Sequence, residues 1–143
     1  MKRKNTGFTL VEILIVVIIL GILAAIVIPQ FTEASNDARA SALASDLQTV
    51  RSQLELYKVQ HLDTYPAKAT VADQLTKRTN QAGTIGDDAN TYPYGPYLQK
   101  FPTNPFVATG GNEVDTTALG GGTKGWFFDG TKFSPDDDAF KDL

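Results

Sequence analysis

The chain has 143 residues, 42% of them apolar and 20% charged, with a formal net charge of −3. That is about one domain's worth of chain. A cysteine count of zero excludes a disulfide scaffold and thiolate metal sites, and an excess of acidic residues after Gly7 (16 against 10 basic) excludes the phosphate-neutralising patches of a nucleic-acid binder.

Lys2, Arg3 and Lys4 make a basic head in front of an apolar run. Residues 8–28 hold 18 apolar side chains, including seven of the eight isoleucines. As a helix this run spans about 31 Å, one hydrocarbon thickness, and the basic head sets its N-terminus on the cytoplasmic side. A cleaved secretory signal needs small residues at −3 and −1 of the cut. The best position, after Ala25, has Leu23 at −3, so the run reads as retained rather than removed. Glu12 lies inside it and Pro29 closes it. A carboxylate at membrane depth is costly without a partner. A cut between Gly7 and Phe8 supplies one, because the new Phe8 amine precedes Glu12 by four residues, on one helix face. That amine is available to its own Glu12 or to Glu12 of a neighbouring molecule.

The run Lys2-Arg3-Lys4-Asn5-Thr6-Gly7-Phe8-Thr9-Leu10-Val11-Glu12 resembles the prepilin signal of type IV pilins and type II secretion pseudopilins. The resemblance covers residues 1 to about 31. It implies that a membrane-embedded prepilin peptidase cuts after Gly7 and N-methylates Phe8. It also implies that Glu12 pairs with the methylated amine of an adjacent subunit during assembly.

Residues 30–62 contain no glycine or proline. Leu43, Leu47, Val50, Leu54 and Tyr57 recur at spacings of 4, 3, 4 and 3, one face of a helix. From Phe8 to about Leu62 the pattern predicts one helix, with a bend at Pro29, whose ring strains against the Ala25 carbonyl. Its 43–57 face needs a cover, and the chain's own C-terminal half is expected to supply it. The predicted organisation is a leader at 1–7, a membrane or filament-core helix at 8–29, an amphipathic half at 30–62, and a globular region at 63–143 packing on residues 43–57.

Residues 83–143 hold 10 of the 12 glycines and 5 of the 7 prolines, so this half is turn-rich. Residues 71–78 predict a short helix. Gly125-Trp126-Phe127-Phe128-Asp129, an Asp129-Gly130 turn and Thr131-Lys132-Phe133-Ser134 predict a β-hairpin. Alternation sends Phe127 to one side and Trp126 and Phe128 to the other. Val107-Ala108 is a candidate third strand. The aromatic–proline stretches 92–98 and 101–106 predict a stiff loop pinned by its rings. The part at 95–106, with Gly125-Trp126 after it, resembles the major pseudopilin of type II secretion. The fold class expected is α+β and pilin-like: a long N-terminal helix, half membrane and half amphipathic, on a small antiparallel sheet with long loops.

Catalytic signals are weak. Gly120-Gly121-Gly122-Thr123-Lys124-Gly125 matches G-x-G-x-x-G but precedes a strand instead of following one, so it does not read as a dinucleotide motif. His61, the one histidine, has no adjacent nucleophile and is expected to cap the last turn of the long helix. The chain reads as non-enzymatic. The resemblance implies a Ca²⁺ loop near the C-terminus, and Asp129, Asp136 and Asp138 are the candidate ligands, against a solvated acidic end as the alternative. No cofactor is required.

The reading favoured is a filament subunit, the major pseudopilin of a type II secretion system. It is anchored in the bacterial inner membrane with its C-terminal domain in the periplasm, and polymerises with itself through Gly7 processing and contacts at Phe8, Glu12 and Pro29. The partners implied are the prepilin peptidase, minor pseudopilins or pilins, and an inner-membrane assembly platform with its ATPase. A type IV major pilin and a secreted soluble binding domain are the alternatives.

Overall fold

The computed structural model describes residues 7–121, 123–137, 139–140 and 143. Helix α1 runs from Leu10 to Gln60, a short 3₁₀ turn from Lys68 to Thr70, and helix α2 from Val71 to Thr76. Three short strands follow: β1 (Val114–Asp115), β2 (Trp126–Phe128) and β3 (Phe133–Pro135). The chain divides into two compact units, residues 1–38 and residues 39–143. The fold class is α+β and pilin-like.

In the first unit every described residue is exposed. Ile13, Val17, Leu20 and Ile26 each show more than half of their surface. Such a helix finds no apolar environment inside its own unit. It is long and apolar enough to cross a membrane. α1 begins at Leu10, two residues later than the pattern predicts, and continues through Pro29. Three residues after that proline, the Thr32 hydroxyl donates to the Ile28 carbonyl at 3.1 Å.

The second unit has a closed core. Leu43, Leu47, Val50, Leu54 and Tyr57 on α1 are buried together with Val71 and Leu75 of the α2 region, Leu98 and Phe101 of the connecting loop, and Trp126, Phe128 and Phe133 of the sheet. Phe128 and Phe133 stack at 4.7 Å, and Phe101 lies 5.6 Å from Phe133. The polar link is Arg51, whose Nε and Nη2 both donate to the Phe133 carbonyl, at 3.0 and 2.8 Å. This fork crosses from α1 to β3 and satisfies an acceptor of a strand that is buried along its whole length.

The sheet corrects two expectations. It is mixed, not antiparallel: β2 and β3 form the predicted hairpin, but β1 pairs with β2 in parallel, Val114 opposite Trp126. The third strand is Val114–Asp115, and Val107-Ala108 stays in a loop. Val107 donates its amide to the Asn104 carbonyl, which turns the chain there instead of extending it. Buried Asn104 organises that loop through its own amide to Gly111, its Nδ2 to the Gly125 carbonyl and its Oδ1 from the Phe106 amide. Gly125 lies so close to Gly111 that a Cβ would collide with its carbonyl. Gly125 of the glycine run is thus required by packing where the chain enters β2. Alternation on β2 is as predicted, with Trp126 and Phe128 buried and Phe127 half-buried.

At its C-terminal end α1 stops without glycine. Leu62 and Asp63 both take positive φ, 55° and 61°, and the Asp63 amide reaches back to the Lys58 carbonyl at 3.0 Å. His61 is buried at 3% exposure. Its Nδ1 meets the Tyr57 carbonyl at 2.8 Å, the capping contact expected, while Nε2 lies 3.0 Å from the Thr79 hydroxyl. Its ring stacks on Tyr57 at 3.7 Å. The connecting loop is tied in the same region: Tyr97 and Leu98 both donate amides to the Leu75 carbonyl, and the Tyr97 hydroxyl donates to Gln60 at 2.7 Å.

Candidate processing and assembly site

Gly7, Phe8 and Thr9 precede the first turn of α1. Phe8 is 85% exposed. Thr9 is the helix N-cap. Its carbonyl accepts from the Ile13 amide at 3.3 Å, and its hydroxyl oxygen accepts from the Glu12 amide at 3.3 Å. Glu12 answers in the other direction: its Oε2 accepts from both the Thr9 amide and the Thr9 hydroxyl, each at 2.7 Å. This reciprocal pair is a capping box. It satisfies helix N-terminal donors that have no partner within the helix, and it places a carboxylate at the positive end of the dipole.

The expected Phe8–Glu12 pairing belongs to the cut chain, and the geometry here is that of the uncut one. Phe8 lies outside the helix, so it does not share a helix face with Glu12. The group beside the carboxylate is Thr9. The pattern Thr-x-x-Glu ahead of an apolar run, Thr9 to Glu12, is the sequence signature of such a box. Among the described residues no donor meets Oε1, which the three bonds of the box leave out. Pro29 sits within α1.

Of the three acidic candidates near the C-terminus, the two that are described, Asp129 and Asp136, lie at opposite ends of the hairpin. Asp129 occupies the β2–β3 turn, where its Oδ1 accepts from the Thr131 amide and hydroxyl and the Lys132 amide, at 2.6, 2.9 and 2.7 Å. Asp136 follows β3, at the opposite end of the hairpin. Asp138 lies outside the described residues. Among the described residues no group of three carboxylate, histidine or cysteine side chains is arranged to hold a metal. Asp136 is still unusual. It is fully buried, with Oδ1 accepting from the amides of Gly120 and Gly121 at 2.7 and 3.2 Å. Its Oδ2 has no partner among the described residues. An orphaned buried carboxylate oxygen fits a hard cation, whereas Asp129 is taken up by its own turn.

Two family descriptions match the chain. The prokaryotic N-terminal methylation motif covers residues 2–28, and type II secretion system protein G covers residues 30–111. The chain belongs to the type II secretion system protein G family. Three relatives named type II secretion system core protein G bear this out. That of Pseudomonas aeruginosa is 33% identical over 96% of this chain and 94% of its own. That of Dickeya chrysanthemi is 32% identical over 76% and 67%, and that of Vibrio cholerae 34% identical over 73% and 67%. No solved structure matches. Membership agrees with the prepilin-like start and the Gly95–Phe106 segment, and it places the chain among filament-forming pseudopilins, structural subunits of a secretion pseudopilus. The type IV pilin and secreted-domain alternatives give way to it.

Proposed function

We propose that this pseudopilin is cut after Gly7, is N-methylated at Phe8, and is stored in the inner membrane through residues 8–29 with its basic head cytoplasmic and residues 63–143 periplasmic. It then polymerises with itself, and with minor pseudopilins, into the pseudopilus. Prepilin peptidase does the processing, and an inner-membrane platform with its ATPase supplies the work. The chain is a structural subunit without catalytic activity. The observation that carries this reading is the contrast between its two units: an exposed apolar helix with one acid at its start, and a head that closes an apolar core of its own. Lipid and filament core are both apolar, so little hydrophobic gain favours moving between them. A polar contact must choose the register. Glu12, held by Thr9 through Oε2, offers Oε1 to the Phe8 amine of a neighbour, and Pro29 marks where the apolar contact surface ends. N-terminal sequencing of the mature chain tests the processing step. Phe8 as first residue supports the reading, and a start near Ile26 overturns it.

A Ca²⁺ ion is proposed at Asp136 alone among the described carboxylates, with neighbouring oxygens completing its shell; the ion would neutralise a buried charge. Asp129 is not part of that site. Melting of the head with and without a chelator checks it, and an unchanged midpoint removes the metal.

A further inference from the structure

Where α1 ends, the head unit holds a recess of about 330 Å³, the scale of a small ligand pocket. Its buried wall carries Tyr57, His61 and Gln74, exposed by only 2, 3 and 7%. Two of these side chains are fully engaged. The His61 ring nitrogens meet the Tyr57 carbonyl and the Thr79 hydroxyl. The Gln74 side-chain oxygen accepts from the Ala67 amide and the Thr70 hydroxyl, and its nitrogen donates to the Gly83 carbonyl at 2.7 Å. The Tyr57 hydroxyl lies outside these bonds and meets no acceptor among the described residues. Burial pushes that hydroxyl above the ordinary phenol value, so it stays protonated and able to donate. Gly83, at φ 79°, keeps it uncovered: a Cβ there would come within 2.8 Å of the hydroxyl and 2.9 Å of the Gln74 nitrogen. A buried donor without an acceptor is costly, and an oxygen entering the recess removes that cost. A second recess, of about 340 Å³, adjoins the first and shares Leu62, Gln81 and Ala82 with it. Leu62 is 73% exposed and fixed at φ 55°, a conformation a leucine rarely adopts. No Lys, Arg, Asp or Glu lines either recess. The charges beside them in the chain, Lys58 and Asp63, pair with each other at 3.3 Å.

We propose that the two recesses together take an uncharged peptide segment of a partner protein, with an amide oxygen of that segment accepting from the Tyr57 hydroxyl. The proposal does not depend on the filament reading. Two recesses joined through Leu62, Gln81 and Ala82 give an extended segment a place for two side chains, whereas a compact molecule fills one. The absence of charge in their walls selects a neutral segment. A carboxylate finds no cation there, and it approaches a chain with 16 acidic against 10 basic residues after Gly7. An ammonium finds no carboxylate in either wall.

The full-length chain, with isotope-labelled tyrosine rings, is titrated in lipid nanodiscs with acetyl-Ala-Gln-Ala-amide and followed by NMR. Saturable shifts are expected at Tyr57 and Tyr65, which line the first recess, and none at Tyr92, which lines neither. Tyr57→Phe keeps the ring in the core and loses no hydrogen bond. It is expected to retain the buried Trp126 emission and, read at Tyr65, to bind roughly tenfold more weakly. Ala82→Leu narrows the exposed side of both recesses without touching the core, and is expected to weaken binding too. Near neutral pH the peptide with Glu in place of Gln is expected not to bind, and acetyl-Gln-amide to bind more weakly than the longer peptide. No saturable shift, unchanged affinity in Tyr57→Phe or in Ala82→Leu, or equal binding of the Glu peptide overturns the proposal. Equal affinity for acetyl-Gln-amide overturns the extended segment as occupant.

Discussion

Glu12 performs two tasks that one pair of substitutions separates. In the uncut chain its carboxylate closes the capping box with Thr9 through two 2.7 Å bonds. In assembly its charge is proposed to meet a neighbour's amine. Glu12→Gln retains an acceptor oxygen for Thr9 and loses only the charge. Glu12→Ala loses both. The box contributes about 1 kcal/mol to the first turn, which lowers the population of a formed helix start roughly fivefold. An unpaired charge in an apolar environment costs on the order of 2–3 kcal/mol, roughly a hundredfold in an association equilibrium. If the charge selects the register, Gln and Ala lose filaments alike. If the cap does, Gln assembles nearly as wild type and only Ala fails. The assay counts sheared filaments against carbonate-resistant membrane monomer for both variants. Near-normal filament yield from Glu12→Gln would refute charge pairing, whatever Ala does.

Arg51→Met removes the fork on the Phe133 carbonyl and leaves a buried acceptor unpaired. The loss is about 2–3 kcal/mol, and a midpoint roughly 10 °C lower is expected when unfolding is followed by Trp126 fluorescence; a shift under about 2 °C would show that the fork carries little. Gly125→Ala forces a methyl against Gly111, so the β1–β2 contact must open. Soluble yield and protease resistance of the head are expected to fall, and a wild-type protease pattern would contradict the close approach. Acid should loosen the turns. The Thr117 hydroxyl and amide hold the Asp115 carboxyl below its ordinary range, and the Thr91 hydroxyl and nearby amides do the same for Asp88. Burial pushes the Asp129 carboxyl up, but the amides of Lys132 and Thr131 and the Thr131 hydroxyl outweigh it. Depressed carboxyls contribute stability that is present above their unfolded value, about 3.9, and that disappears as pH falls through the lower folded values. Melting should be flat above about pH 5 and decline below 4; a midpoint rising on acidification would contradict this sign.

Much of this protein was legible in one dimension because its signals are periodic or local. The apolar run, its basic head and the Gly7-Phe8…Glu12 spacing need no neighbour to be read. The 4-3-4-3 spacing of Leu43 to Tyr57 named the core face of α1 residue by residue, since helix geometry alone puts those positions in line. The Asp129-Gly130 turn and the Trp126–Phe128 alternation likewise follow from backbone rules. Tertiary structure decided what depends on residues far apart in sequence. The parallel pairing of β1 with β2 rests on Asn104, Gly111 and Gly125 meeting across a loop. The separation of Asp129 from Asp136 depends on which end of a hairpin each occupies. The partner of Arg51 is a carbonyl 82 residues away. Periodicity marks which face of an element is to be covered; only the assembled chain determines which distant backbone atoms supply the cover, because those contacts are set by loop closure and packing and leave no repeat in the sequence.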